Sequence, residues 1–375
     1  MTHTPHPARQ TPSTPRTAVL DLHGDVAALT AALMDIESVS GNEKELADAV
    51  ELALRSLPHL HVTRNGDSIV ARTELGRAER VILAGHLDTV PLPTTAGARG
   101  TVPSSWDGDV LYGRGATDMK GGVAVQLALA ATLREPSKDV SYIFYDHEEV
   151  AAAKSGLGRL VRENRELLDA DFGILLEPTN GTVEGGCNGT IRFEVSTRGV
   201  AAHSARAWMG ENAIHAAAPI LARLAAYQPA TITVEGLDYR ESLNAVKIHG
   251  GTAGNVIPDA CVVEVNYRFA PDKTPDEAEA HVRGLLTGFE LIRTDSSSGA
   301  RPGLTAPAAA SFVDAVGRAP LPKYGWTDVA RLSEMGIPAV NFGPGDALLA
   351  HSDNEHVHAE AVRECLAALL RWLTP

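Results

Sequence analysis

His86 and Asp88 stand two residues apart just past the apolar run Val81 to Ala84, and this pair can build one side of a metal site. Imidazole is the usual side-chain ligand for a transition metal, and a carboxylate two residues on can accept the other ring N–H and fix the tautomer. A second stretch, Asp146-His147-Glu148-Glu149, follows the apolar run Val140 to Tyr145. Adjacent side chains leaving a strand point to opposite sides, so one carboxylate can ligate a metal while its neighbour faces the water on that metal. HEEVA lacks the second histidine of the helical zinc-protease motif. Two further carboxylates, Asp118 in LYGRGATDMKGG and Glu177 in LEPT, also follow apolar or glycine-rich stretches.

The elements that must position these groups alternate. Helical spacing of apolar residues covers 26 to 34 and 43 to 57, with Ser40, Gly41 and Asn42 as turn and cap. Asn65-Gly66 marks a hairpin within 60 to 73, which leads into the Val81 strand. Helices over 123 to 133 and 156 to 168 then alternate with strands over 140 to 145 and 172 to 176. In such an open sheet, ligands bind outside the carboxyl ends of the strands, where His86, Asp118, Glu148, Glu149 and Glu177 converge. Gly113-Arg114-Gly115 is not a dinucleotide loop, because Asp118 replaces the third glycine and would repel a pyrophosphate.

After Thr179 the pattern changes to strand 190–197, helix 212–227, strands 244–250 and 261–269, helix 275–286 and a short strand at 290–293. This βαββαβ order is that of a ferredoxin-like α+β insertion. The first domain resumes near Thr305 with strand 338–343, a loop holding His351, and a final helix from Glu360 to Leu373. The expected organisation is therefore an α/β catalytic domain from 20–180 and 295–375, with a mostly parallel sheet flanked by helices. The insertion covers 181–294, and residues 1–19 form a disordered tail rich in Pro and Thr.

The chain has 375 residues, 44% apolar and 21% charged, and a formal charge of −14. Nucleic acid is excluded as a partner, since its affinity rests on neutralising phosphates with Lys and Arg. No run approaches the ~18 apolar residues of a membrane span. Three scattered cysteines, Cys187, Cys261 and Cys365, fit neither a disulfide framework nor a Cys-x-x-Cys site and read as reduced cytoplasmic thiols.

GHLDTVP, GRGATDMKGG, DHEE, LEPT, GVAAHSA and AHSDNE, in this order, resemble the dinuclear zinc metallopeptidase family that includes aminoacylases, carboxypeptidase G, acetylornithine deacetylase and succinyl-diaminopimelate desuccinylase. The resemblance covers residues 26 to 370. It implies a zinc-dependent exopeptidase-like catalytic domain with the insertion as a dimerisation and lid domain. It also implies two zinc ions per subunit, one on His86 and Glu177 and the other on Glu149 and His351, with Asp118 bridging. Glu148 would be the general base and Asp88 the partner that orients His86, and the peptide after Asp118 would be cis. No thiolate is among the ligands, so Co2+ or Mn2+ are acceptable substitutes.

His203, in GVAAHSA, matches a histidine that reaches the partner subunit's active site, which implies a homodimer. Asn255, Arg268 and Arg331 match positions that bind substrate carboxylates, a task suited to bidentate arginine. His147, His356 and His358 are expected at the surface. The activity so implied is hydrolysis of a small N-acyl amino acid, foremost N-succinyl-LL-2,6-diaminopimelate. The rival within the family is another deacylase or a carboxypeptidase, and the rival outside it a non-catalytic metal- or peptide-binding protein.

Overall fold

A computed structural model describes residues 18–375. Of the expected tail, residues 1–17 lie outside the described part. The larger sheet has eight strands in the order His61–Asn65, Ser68–Arg72, Asp139–Tyr145, Arg80–His86, Phe172–Leu175, Ala339–Asn341, Glu184–Gly185, Leu321–Pro322. Its central four, from Asp139–Tyr145 to Ala339–Asn341, are parallel. Every residue of Asp139–Tyr145 and all but the first of Arg80–His86 are buried, as befits strands covered by helices on both faces. The antiparallel pairs lie toward the edges.

Lys120–Thr132 is a helix buried along almost its whole length between the sheet and the helices Val26–Met34 and Ala359–Leu373. Its glycines allow that depth, since a Cβ on Gly122 would overlap the carbonyl oxygen of Leu176. The helix begins just after Asp118, whose peptide bond to Met119 is cis. The packing of this helix therefore decides where the Asp118 loop sits.

The insertion carries a four-stranded antiparallel sheet in the order Ser242–Gly250, Ala260–Phe269, Gly189–Arg198, Glu290–Ser297. Ile191, Phe193, Val195, Val263 and Val265 alternate inward from it and pack on Ile220 and Val282 of the covering helices, giving the insertion its own core. Sequence and structure differ in several places. The helix expected over 212–227 is two, Ala213–Ala216 and Ala218–Ala226, because Pro219 cannot continue the first. The hairpin Thr231–Val234 with Leu237–Arg240 has no strong turn signal, for it turns on Glu235 and Gly236, both at positive φ. A small sheet of Ser105–Asp107, Val110–Tyr112 and His356–His358 occupies what reads as loop. No helix of the described residues is long and apolar enough to cross a membrane.

Candidate metal centre

His86 closes its strand, and its ring meets the Asp118 loop. Nε2 of His86 lies 3.0 Å from Asp118 Oδ1, while Nε2 of His351 lies 3.2 Å from the other oxygen of the same carboxylate and 3.0 Å from Glu149 Oε1. Asp118 thus faces one histidine with each oxygen. Ligand atoms within 4.8 Å of one another form three overlapping groups, His86 with Asp118 and Glu177, Asp118 with Glu149 and His351, and His86 with Glu148 and Glu149. The first two share Asp118. The third leaves both glutamates of the pair geometrically able to reach a cation.

The protonation pattern calls for a cation. His86 Nδ1 is 2.9 Å from the main-chain carbonyl of Asp88, which can only accept, so Nδ1 carries the hydrogen. In the neutral ring Nε2 then points a lone pair at a carboxylate oxygen, an arrangement that needs a proton or a metal between them. Two ligands on one tetrahedral ion lie about 3.3 Å apart, close to the separations observed. Four carboxylates, Asp118, Glu148, Glu149 and Glu177, face two imidazoles here, a charge that two divalent ions would balance. Without metal the surplus shows in the titration of these groups. Burial first, then the neighbouring Asp118 carboxylate, pushes Glu177 up to about 7. Hydrogen bonds to Asp118 and Glu149 raise His351 to about 10. Burial, opposed by His86 and reinforced by Glu177, Asp328 and Glu149, raises Glu148 well above the usual carboxylate range.

The expected role of Asp88 needs correction. Its carboxylate is 3.7 Å from His86 Nδ1, beyond hydrogen-bond reach, and the ring is held by the Asp88 carbonyl instead. The carboxylate oxygens accept the main-chain N–H groups of Glu148 at 2.9 Å and Glu149 at 3.0 Å, and the hydroxyl of Ser40 at 2.6 Å. Asp88 therefore joins the His86 loop to the turn that carries the glutamate pair.

Sequence reasoning passed over Glu355, four residues after His351. It is fully buried, and Oε1 accepts the N–H groups of Thr117 and Asp118 at 3.0 and 3.1 Å while Oε2 accepts Arg114 Nη1 at 2.7 Å. A carboxylate and an arginine inside two motifs already singled out were the available signal. His147 is also not a plain surface residue, since its ring is 26% exposed and Nδ1 lies 2.7 Å from Asp146 Oδ2. His356 packs at a tilt against Tyr112 with centroids 4.7 Å apart, and His358 is exposed; neither joins the metal groups.

A cleft of about 780 Å³ opens beside this cluster, with Glu148, Glu149 and His351 on one wall and the insertion's sheet on the other. Arg268 and Arg331 line it. Arg268 donates to Asn266 Oδ1 at 3.2 Å, and Arg331 is paired with the buried Asp328. Arg192, which sequence reasoning did not single out, lines the same cleft near Asp295. Asn255 and His203 do not line it. They sit together on the insertion, where His203 pairs with Val256 and Ser204 N donates to the Asn255 carbonyl at 2.8 Å. Asn255 is thus not among the donors of its own chain's cleft, because its loop closes on the short strand of His203.

Residues 82–374 match the family described as Peptidase family M20/M25/M40. The chain belongs to this peptidase family. It is a metal-dependent hydrolase of amide bonds with a dinuclear centre, and the residues above fit such a centre in donor type, charge and spacing. Among its relatives, the succinyl-diaminopimelate desuccinylase of Corynebacterium glutamicum is 44% identical over 366 residues, covering 95% of this chain and 98% of that one. A Mycobacterium tuberculosis protein assigned only provisionally to the same activity is 49% identical over 358 residues, 95% and 99% of the two chains. The fold is shared with an M20 metallo-carboxypeptidase of Sulfolobus solfataricus at a TM-score of 0.76 and 15% identity, over 93% and 98% of the chains. A dinuclear metal-binding M20 peptidase of Bacillus subtilis matches at 0.68 and 18% identity, over 94% and 97%.

Proposed function

We infer that this M20 chain removes the succinyl group from N-succinyl-LL-2,6-diaminopimelate, giving succinate and LL-2,6-diaminopimelate for lysine and cell-wall precursor synthesis. The observation that carries the substrate is identity of 44% across nearly the whole of the Corynebacterium glutamicum desuccinylase. The cleft supports it chemically. Arg192, Arg268 and Arg331 gather beside the metal groups, and a substrate bearing several carboxylates needs bidentate cationic donors.

His86, Glu177 and a shared Asp118 would hold one ion, and Glu149, His351 and the same Asp118 the other. Two divalent ions held there would supply Lewis acidity toward the amide carbonyl and toward the attacking water. The donor set of nitrogen and oxygen, without thiolate, suits Zn2+, with Co2+ and Mn2+ accepted as well. Glu148 takes the proton from the attacking water and hands it to the amine nitrogen as the C–N bond breaks. A carboxylate beside the metal groups can make both transfers. Asp88 keeps Glu148 and Glu149 in place through their main-chain N–H groups.

The insertion, expected over 181–294 within a catalytic part of 20–180 and 295–375 but leaving Glu184–Gly185 to the larger sheet and running on to Ser297, has a second task, dimerisation. Its edge strand Ser242–Gly250 is exposed from Asn244 onward, and Val246, Ile248, Trp208 and Met209 present apolar side chains to solvent. A strand edge with exposed apolar groups favours pairing with a second copy. In such a homodimer, His203 and Asn255 would complete the partner's cleft, His203 by donating to the developing oxyanion. The reading includes a cytoplasmic location. Incubating the metal-loaded chain with the succinylated substrate and following succinate by mass spectrometry tests it, and an absence of succinate would refute it.

A further inference from the structure

We propose that Glu43 is a positioning residue for the general base, holding the main chain at His147 so that Glu148 leaves its turn in the working direction. The inference rests on Glu148 being that base. His147 has a φ of 59°, a left-handed conformation that is uncommon for a residue with a Cβ and costs energy that its surroundings must offset. What holds it is a row of three carboxylate contacts to successive N–H groups. His147 N donates to Glu43 Oε1 at 3.3 Å, Glu148 N to Asp88 Oδ1 at 2.9 Å, and Glu149 N to Asp88 Oδ2 at 3.0 Å.

The two acceptors are themselves tied together. Thr89 N donates to the Ser38 carbonyl and Ser40 N to the Thr89 carbonyl, both at 3.0 Å, while Ser40 Oγ donates to Asp88. Residues 38 to 43 are thus zipped along the His86 loop, and Glu43 extends that zip to the next strand end. Both of its oxygens also accept Gly41 N at 2.9 Å. Although Glu43 precedes the helix Lys44–Arg55, its side chain makes no capping bond to that helix, and it is 1% exposed. A helix-terminal carboxylate buried this fully and turned away from its own helix is explained by the His147 turn. The His147 ring stands between Glu43 and Asp146, the latter fixed by Ser68 and Arg159, so the turn is gripped from both sides.

The test uses the metal-loaded chain and two readouts. In Glu43→Ala, amide hydrogen exchange in the peptide covering Asp146 to Glu149 should speed up at least ~10-fold with the insertion's sheet unchanged. In parallel kcat should fall ~10²-fold, the scale of a small misplacement of a reacting group, with KM and metal content unaltered. Glu43→Gln keeps an acceptor toward His147 N and should return kcat to within about threefold of wild type. Unchanged exchange at Asp146 to Glu149, or faster exchange with full kcat, overturns the proposal. If exchange rises throughout Glu43→Ala, Glu43→Asp decides, local loss upholding the proposal and global or no loss ending it. Should Glu148→Ala prove fully active, the base assignment fails while the exchange result still reports on the clasp.

Discussion

Arg114 and Glu355 form a fully buried ion pair, 2.7 Å from Nη1 to Oε2, and the free oxygen of that glutamate holds the N–H groups of Thr117 and Asp118. The Asp118 carboxylate thus hangs from a frame that reaches across the chain from the His351 loop. Glu355→Ala should weaken metal binding 10- to 100-fold, as removal of an outer hydrogen-bond partner does. It should also destabilise the fold by ~3 to 5 kcal/mol, since Arg114 is left buried and unpaired. Competition titration with a chromogenic chelator and equilibrium unfolding check the two effects. Wild-type metal affinity would remove Glu355 from this role.

Glu148 lies close enough to His86 and Glu149 to serve as a ligand instead of a base. If it is the base, Glu148→Ala keeps two metals per chain while turnover falls ~10²-fold or more. Elemental analysis decides, and loss of one metal would exchange its role with that of Glu149.

How much of this was legible beforehand differs by residue. His86, Asp118, Glu149, Glu177 and His351 announced themselves because ligand-type side chains follow apolar strands or sit in a motif, and the structure brings them together. Arg192 gave no signal, because an arginine alternating with Thr190 and Glu194 on a strand reads as an exposed face. Glu43 and Glu355 were hidden for a different reason. Their partners are 104 and 237 to 241 residues away, so only tertiary structure shows what they hold. The insertion's topology could be read from its periodicity, whereas the break at Pro219 and the Glu235-Gly236 turn depend on local chemistry that the apolar pattern does not record.

The stability contributed by the metal-free site should fall as pH rises, against buried Lys120, which burial lowers to about 7 and whose contribution grows from there to ~10.4. Hydrogen bonds to Asp118 and Glu149 raise His351 to about 10, so the stability it contributes is fully present below ~6.5 and is lost as pH rises through about 10. Burial and Asp118 raise Glu177 to about 7, so it favours the fold while protonated, and that contribution declines between ~4.3 and about 7. Metal must displace these protons, so affinity should climb over the same range. Melting curves with chelator from pH 7 to 10, and calorimetry in buffers of different ionisation enthalpy, check both. A metal-free Tm difference between the chain and His351→Ala that does not shrink across that range would contradict the assignment.

Arg192 and Arg268 should bind substrate rather than take part in the chemical step. Replacing either with Ala should raise KM for the succinylated substrate ~10-fold or more, the value of one hydrogen bond to a charged group, with kcat nearly kept. Steady-state kinetics against an N-acetyl analogue, which lacks one carboxylate, show which arginine reads the acyl group. Equal losses on both substrates would exclude that function.

His203 should work in trans. Glu148→Ala and His203→Ala should each be nearly inactive alone, but a mixed dimer would have one site with an intact base and a His203 from the other chain. Random 1:1 exchange should restore roughly a quarter of wild-type sites. Native mass spectrometry confirms exchange, and exchange without recovered activity would place His203 in its own chain.

The most direct measurement of the central claim is kcat/KM on N-succinyl-LL-2,6-diaminopimelate beside N-acetylornithine, for the same preparation with metal restored and with metal stripped. We expect succinate release that depends on metal and exceeds acetate release by at least ~10²-fold, the scale set by leaving the cationic donors of the cleft without their carboxylate. Equal or faster turnover of N-acetylornithine, or succinate release that survives complete metal removal, would contradict the account.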